Sequence, residues 1–135
     1  MHTENIEIVT TKERFFLEYL TLKKPIIDSM LTRLNRKKTT LSDAPLRVLA
    51  QLLYYYDLFK DEQDDEKRWA MVFSREIKID ILGKLKLKEH YLNNYLSHLR
   101  AIKILEDKKI RNLFVVSADD DLALSFTFKL NGHKE

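Results

Sequence analysis

Apolar residues recur three to four places apart over most of the chain, the period of a helix buried along one side. Thr11 is a fitting N-cap, and Phe15, Phe16, Tyr19, Leu20 and Leu22 follow it at that spacing. Pro25 has no amide hydrogen and predicts a break or kink near Lys24. Ile26, Ile27, Met30, Leu31 and Leu34 predict a second helix, closing on the basic run "RLNRKK", where cations suit a helix C-terminus. A further helix is predicted in "TTLSDAPLRVLAQLLYYYDLF". Ser42 or Asp43 can cap it, Pro45 fits its first turn, and Leu46, Leu49, Leu52, Leu53, Tyr56 and Phe59 form its inward face.

The pattern then changes. "KDEQDDEKR" (60–68) reads as a polar loop and "WAMVF" (69–73) as a short strand with Trp69 packed inward. Ser74 caps a helix over "REIKIDILGK", and Leu85-Lys86-Leu87 reads as a turn without a glycine. Lys88 or Glu89 begins a third helix that extends to about residue 102. Two β-prone runs, 110–117 and 122–130, flank "ADDD" and predict a hairpin. "NIEIV" near the N-terminus reads as a short strand or an extended arm. The fold class expected is mainly α with a small β-hairpin (α+β). It comprises a helical extension over 1–40, a domain over 41–131 and a tail over 132–135.

From Leu46 the order is helix, short strand, helix, tight turn, helix, hairpin. Within "VFSREIKIDILGKLKLKEHYLNNYLSHLRAIKIL", Ser74 caps one helix, Leu92, Leu96 and Leu99 lock the next, and Ile104-Leu105 lead toward the hairpin. This stretch resembles a winged-helix domain of the kind found in bacterial and phage regulators and in phage or plasmid replication proteins. Leu85-Lys86-Leu87-Lys88 stands where that class often has Leu-Gly-Leu-Ser. The resemblance covers about two-thirds of the chain. It implies a DNA-binding regulator or replication accessory factor whose third helix enters the major groove of double-stranded DNA.

The third helix is consistent with that role. On a wheel of about 100° per residue, Leu92, Leu96, Leu99, Tyr95, Ile102 and Tyr91 form one apolar stripe. Arg100, Asn93, Ser97, His90 and Asn94 lie opposite. Asn can pair with both polar groups on the adenine edge and Arg can fork onto guanine. Lys84, Lys86 and Lys88 alternate with leucines beside the helix N-terminus, where ammonium and amide groups can converge on phosphate. Arg33, Arg36, Lys37 and Lys38 are candidate phosphate contacts. Residues 75–111 hold ten Lys or Arg against five acids.

One feature opposes DNA binding. The expected hairpin tip carries Asp119, Asp120 and Asp121, and phosphates repel carboxylates. These acids, together with Phe15, Phe16 and Tyr19 of the N-terminal helices, are candidate partner contacts. They support an alternative reading as a non-enzymatic adaptor or structural protein in a phage or other macromolecular assembly, or a homodimer paired through those helices.

Composition narrows the remaining classes. The 135 residues are 44% hydrophobic and 33% charged, enough for a real core. With 24 Lys and Arg against 21 Asp and Glu, the net charge of +3 says less than its distribution. The chain has no cysteine, which excludes thiolate chemistry. Two glycines, Gly83 and Gly132, exclude a Gly-rich phosphate loop. His90 and His98 lie eight residues apart, about 12 Å along a helix, too far to share a metal. No nucleophile-base pair and no metal or cofactor motif is apparent, so a non-enzymatic protein is expected. No apolar run approaches the ~20 residues of a spanning helix, so no membrane contact is expected and the cytoplasm is the expected location.

Overall fold

The computed structural model describes residues 4–118. It contains five α-helices: α1 (Lys12–Asn35), α2 (Asp43–Leu58), α3 (Asp65–Val72), α4 (Arg75–Leu85) and α5 (Glu89–Ala101). A single 3-10 turn, Asn112–Phe114, follows. The caps are local and chemical. The Thr11 hydroxyl accepts from the Arg14 amide at 3.3 Å, the Asp64 carboxylate from the Glu66 amide at 3.1 Å, and the Ser74 hydroxyl from the Ile77 amide at 3.4 Å. Each satisfies an amide that the first helical turn leaves without a carbonyl.

α2 is the hub and packs against α1, α3, α4 and α5. Its burial therefore runs around the helix: Leu46, Val48, Leu49, Ala50, Leu52, Leu53 and Tyr55 are all buried. The predicted stripe named Tyr56 as the inward tyrosine. Tyr55 is instead the buried one, and Tyr54 and Tyr56 are half-buried beside it. A one-sided wheel fails when a helix has neighbours on most sides.

α1 is one helix through Pro25, not two helices broken there. Pro25 lies exposed, so its ring faces solvent and the flanking turns hold the helix in register. The inward side of α1 carries Phe16, Tyr19, Leu20, Ile27 and Leu31, all in the common core. Residues 113–115 line one small cavity with Tyr19, Leu20, Lys23, Ile27 and Met30, so α1 faces both α2 and the segment that follows α5.

The winged-helix expectation is overturned: among the described residues there is no β-strand, and the fold is mainly α rather than α+β. "WAMVF" is the end of α3. Trp69 and Val72 are buried while Met71 is exposed. That is three-residue spacing, whereas a strand would place Trp69, Met71 and Phe73 on one face. Trp69 stacks on Tyr56 with ring centres 4.0 Å apart, and Arg68 stacks on Tyr56 at 3.5 Å. These contacts fix α3 on α2.

The expected first hairpin strand, 110–117, also fails. One antiparallel bridge joins Leu105 and Ile110 across the turn Glu106–Lys109. The chain then enters the 3-10 turn. Ile110 and Phe114 are buried while Asn112 between them is exposed, whereas a strand would put all three on one face. The second expected strand (122–130), the acids Asp119, Asp120 and Asp121, and the 132–135 tail lie outside the described residues. Residues 5–9 are exposed and form neither helix nor strand.

Candidate nucleic-acid interface

α4 and α5 are joined by three residues, Lys86 to Lys88, and both helices pack on α2. The turn needs a backbone reversal. Lys86 supplies it at φ 54° and ψ 49°, in the left-handed region, with its amide and that of Leu87 donating to the Leu82 carbonyl. Glycine is the usual residue there because a Cβ costs energy in this conformation. A lysine at that position directs a cation from the turn, and its side chain is exposed. Lys88 is the N-cap of α5 and its side chain makes no capping bond, so the first amides of α5 have no side-chain acceptor.

α5 buries most of the stripe expected of it. Leu92 and Leu99 are buried, as is Ile102 just past the helix end, and Tyr95 and Leu96 are half-buried, but Tyr91, also expected in the stripe, is exposed. His90, Asn93, Asn94 and Ser97 are exposed, and none of their side chains makes a hydrogen bond within the described residues. His90 rests on the Tyr91 ring at 4.0 Å between centres. The face carries no acid: from His90 to Leu105 the sequence contains none. Glu89, at its start, is held by Lys78 at 3.4 Å.

Two of the residues expected to act with this face have other partners. Lys84 pairs with Glu13 at 2.6 Å and Asp80 at 3.7 Å, and lies 4.9 Å from the Tyr54 and Tyr55 rings. Its ammonium is thereby committed to the junction of α1, α2 and α4. Asp80 also accepts from the Tyr55 hydroxyl. Arg100 is exposed, and its Nε donates to the Asp107 carbonyl at 3.0 Å, tying α5 to the Glu106–Lys109 turn.

The remaining sites are placed as follows. Arg33, Arg36, Lys37 and Lys38 are exposed at the end of α1, and Arg36 ends that helix at φ 56°. Phe16 and Tyr19 lie in the core, and Phe15 is half-buried with its ring against both. The large apolar groups that α1 exposes are instead Leu22 and Ile26. Two residues that sequence reasoning passed over connect the helix ends. Asn35 donates to the Ile102 carbonyl at 2.9 Å, and Lys103 donates to the Leu34 carbonyl at 3.4 Å. The acid-free run around Lys103 was a usable signal, whereas nothing local marks Asn35 as a link to a residue so distant in the chain.

Among the described residues no cluster of His, Asp or Glu is arranged to hold a metal, and no helix is long and apolar enough to cross a membrane. Comparison of the chain with protein-family models, curated proteins and solved structures gives no match.

Proposed function

We propose that the protein binds double-stranded DNA through α5. The observation that carries this reading is the outer face of α5 beyond Glu89, which is free of acids from His90 onward and leaves the side chains of His90, Asn93, Asn94 and Ser97 exposed and unbonded between cationic ends. Amide and hydroxyl groups that bond nothing in the chain are free to meet base edges in the major groove. Lys86 and Lys88 meet phosphate beside the uncapped amides of α5. The arrangement of two helices, a short turn and a third supporting helix needs no β-wing for this contact. The role is that of a regulator or replication accessory factor.

Anisotropy titrations against a random duplex and a site selected from a randomised pool test the reading. Binding should fall steeply with salt. Lys86→Gly removes a charge and relieves a left-handed lysine, so the fold gains up to about 1 kcal/mol. The same variant lowers the salt slope by about 0.9. Asn93→Ala should cost about 1–3 kcal/mol on the selected site and little on random duplex. Absence of salt-dependent binding to any duplex would overturn the proposal.

A second reading, a non-enzymatic adaptor, is favoured by Leu22 and Ile26, exposed one turn apart on α1, and by exposed Leu113 on the segment that follows α5. A stable assembly in light scattering, unchanged by salt and without DNA affinity, would favour it.

A further inference from the structure

Two stretches of this sequence carry cations and no acid: Ser29 to Ser42, and His90 to Leu105. They are more than forty residues apart in the chain, and the fold joins their ends. Asn35 bonds the Ile102 carbonyl at 2.9 Å, and Lys103 bonds the Leu34 carbonyl at 3.4 Å. Arg33, Arg36, Lys37 and Lys38 are thereby gathered beside Lys103 at the C-terminal end of α5, all of them exposed. None of these four residues at the end of α1 has an ion-pair partner among the described residues. The nearest acid before them in the sequence, Asp28, is held by Lys24 at 2.6 Å and also accepts from the Leu41 amide.

α5 therefore has a cationic group at each end, with a neutral polar face between. Lys86 and Lys88 stand at its N-terminus, and the cluster at the end of α1 stands with Lys103 at its C-terminus. Thirteen helical residues span about 20 Å. That exceeds the roughly 12 Å width of the major groove. A helix laid across the groove then has each end beside a different strand.

We propose that the cluster at the end of α1 is a second phosphate anchor, gripping the strand opposite the one held by Lys86 and Lys88, and that the ligand is duplex DNA bridged across its major groove. This rests on the reading of α5 as the DNA-contacting helix. It gives the end of α1 a binding role, with Asn35 as the positioning residue that sets the cluster against α5. A single strand offers one backbone and engages one anchor at a time.

The test compares the wild-type chain with the triple variant Arg36→Gly/Lys37→Ala/Lys38→Ala. Glycine is used at position 36 because that residue has positive φ, so the helix end is preserved. Circular dichroism checks that both fold alike. Salt titrations use random duplex DNA, single-stranded DNA of equal length and duplex RNA. The expected result is a duplex-DNA salt slope lowered by about 0.9 for each phosphate that the variant no longer neutralises, at least twice the change seen with Lys86→Gly. The reduction on the single strand should be smaller. Wild-type binding with an unchanged slope in the triple variant overturns the second anchor and leaves α5 as the reader. No wild-type duplex binding overturns both. Equal or tighter binding to single strands or to duplex RNA overturns the assignment of the ligand.

Discussion

Tyr56 shows how one side chain is set by its neighbours. Its hydroxyl donates to Asp65 at 2.5 Å, its ring lies against Trp69, and Arg68 both stacks on the ring and donates to its carbonyl at 2.7 Å. Burial, and then the bond to Asp65, raise its pKa above the usual 10. The folded state thus holds this proton more tightly than the unfolded state. The stabilisation is fully present below pH 10 and is lost as pH rises from there through the folded pKa. Urea melts between about pH 8 and 11 should show stability falling on the alkaline side. Tyr56→Phe should flatten that fall. An identical alkaline limb in the variant would assign the effect to other groups. The same scale shows where residue identity misled the sequence reading. Lys84 and Lys86 are two residues apart and chemically alike, yet one closes a junction of three helices and the other faces solvent. The difference lies in Glu13, Asp80, Tyr54 and Tyr55, which only the fold brings to Lys84.

Among the elements, α1 makes the clearest demand on tertiary support. It runs 24 residues with a proline at its centre. A proline inside a helix costs about 3 kcal/mol relative to alanine, partly offset by under ~1 kcal/mol from the stiffer unfolded chain. Pro25 is exposed, so replacing it removes no core contact. Pro25→Ala should stabilise the protein by about 2 kcal/mol, read as a higher urea midpoint with unchanged slope. A lower midpoint would mean that the local bend is needed for packing. The predicted break at Pro25 is sound local chemistry. It is overridden because Phe16, Tyr19, Leu20, Ile27 and Leu31 lie on both sides of the proline and all enter one core. α3 is the converse case. "WAMVF" is β-prone by composition, but the Asp64 cap and the pairing of buried Trp69 with buried Val72 select a helix.

At the scale of the whole molecule, a single core links every helix through α2. Leu49 is at its centre with no exposed surface. Leu49→Ala should cost about 3 kcal/mol, from the lost burial and the cavity left behind. Thermal melts followed by helical circular dichroism and by the fluorescence of Trp69, the only tryptophan in the chain, should shift together. Separate midpoints would show that α3 melts apart from the rest. The same hub sets the candidate interface. α5 shows its acid-free face because Leu92, Leu99 and Ile102 are fixed against the core, and α1 delivers its cations there because Asn35 closes onto Ile102.

The sequence alone determined where α2, α4 and α5 lie to within a few residues, and that both halves of α1 are helical. It also determined the inward side of α5 and the outward band of Asn, Ser and His. These depend on periodicity and caps, which act over one or two turns. It could not determine whether β-prone stretches would pair, because a strand needs a partner and an apolar run can equally bury itself as a helical turn. It also could not distinguish Lys84 from Lys86, or show that the end of α1 meets the end of α5. Those outcomes depend on side chains far apart in the chain, and the tertiary structure decided them by bringing Glu13 to Lys84 and Asn35 to Ile102.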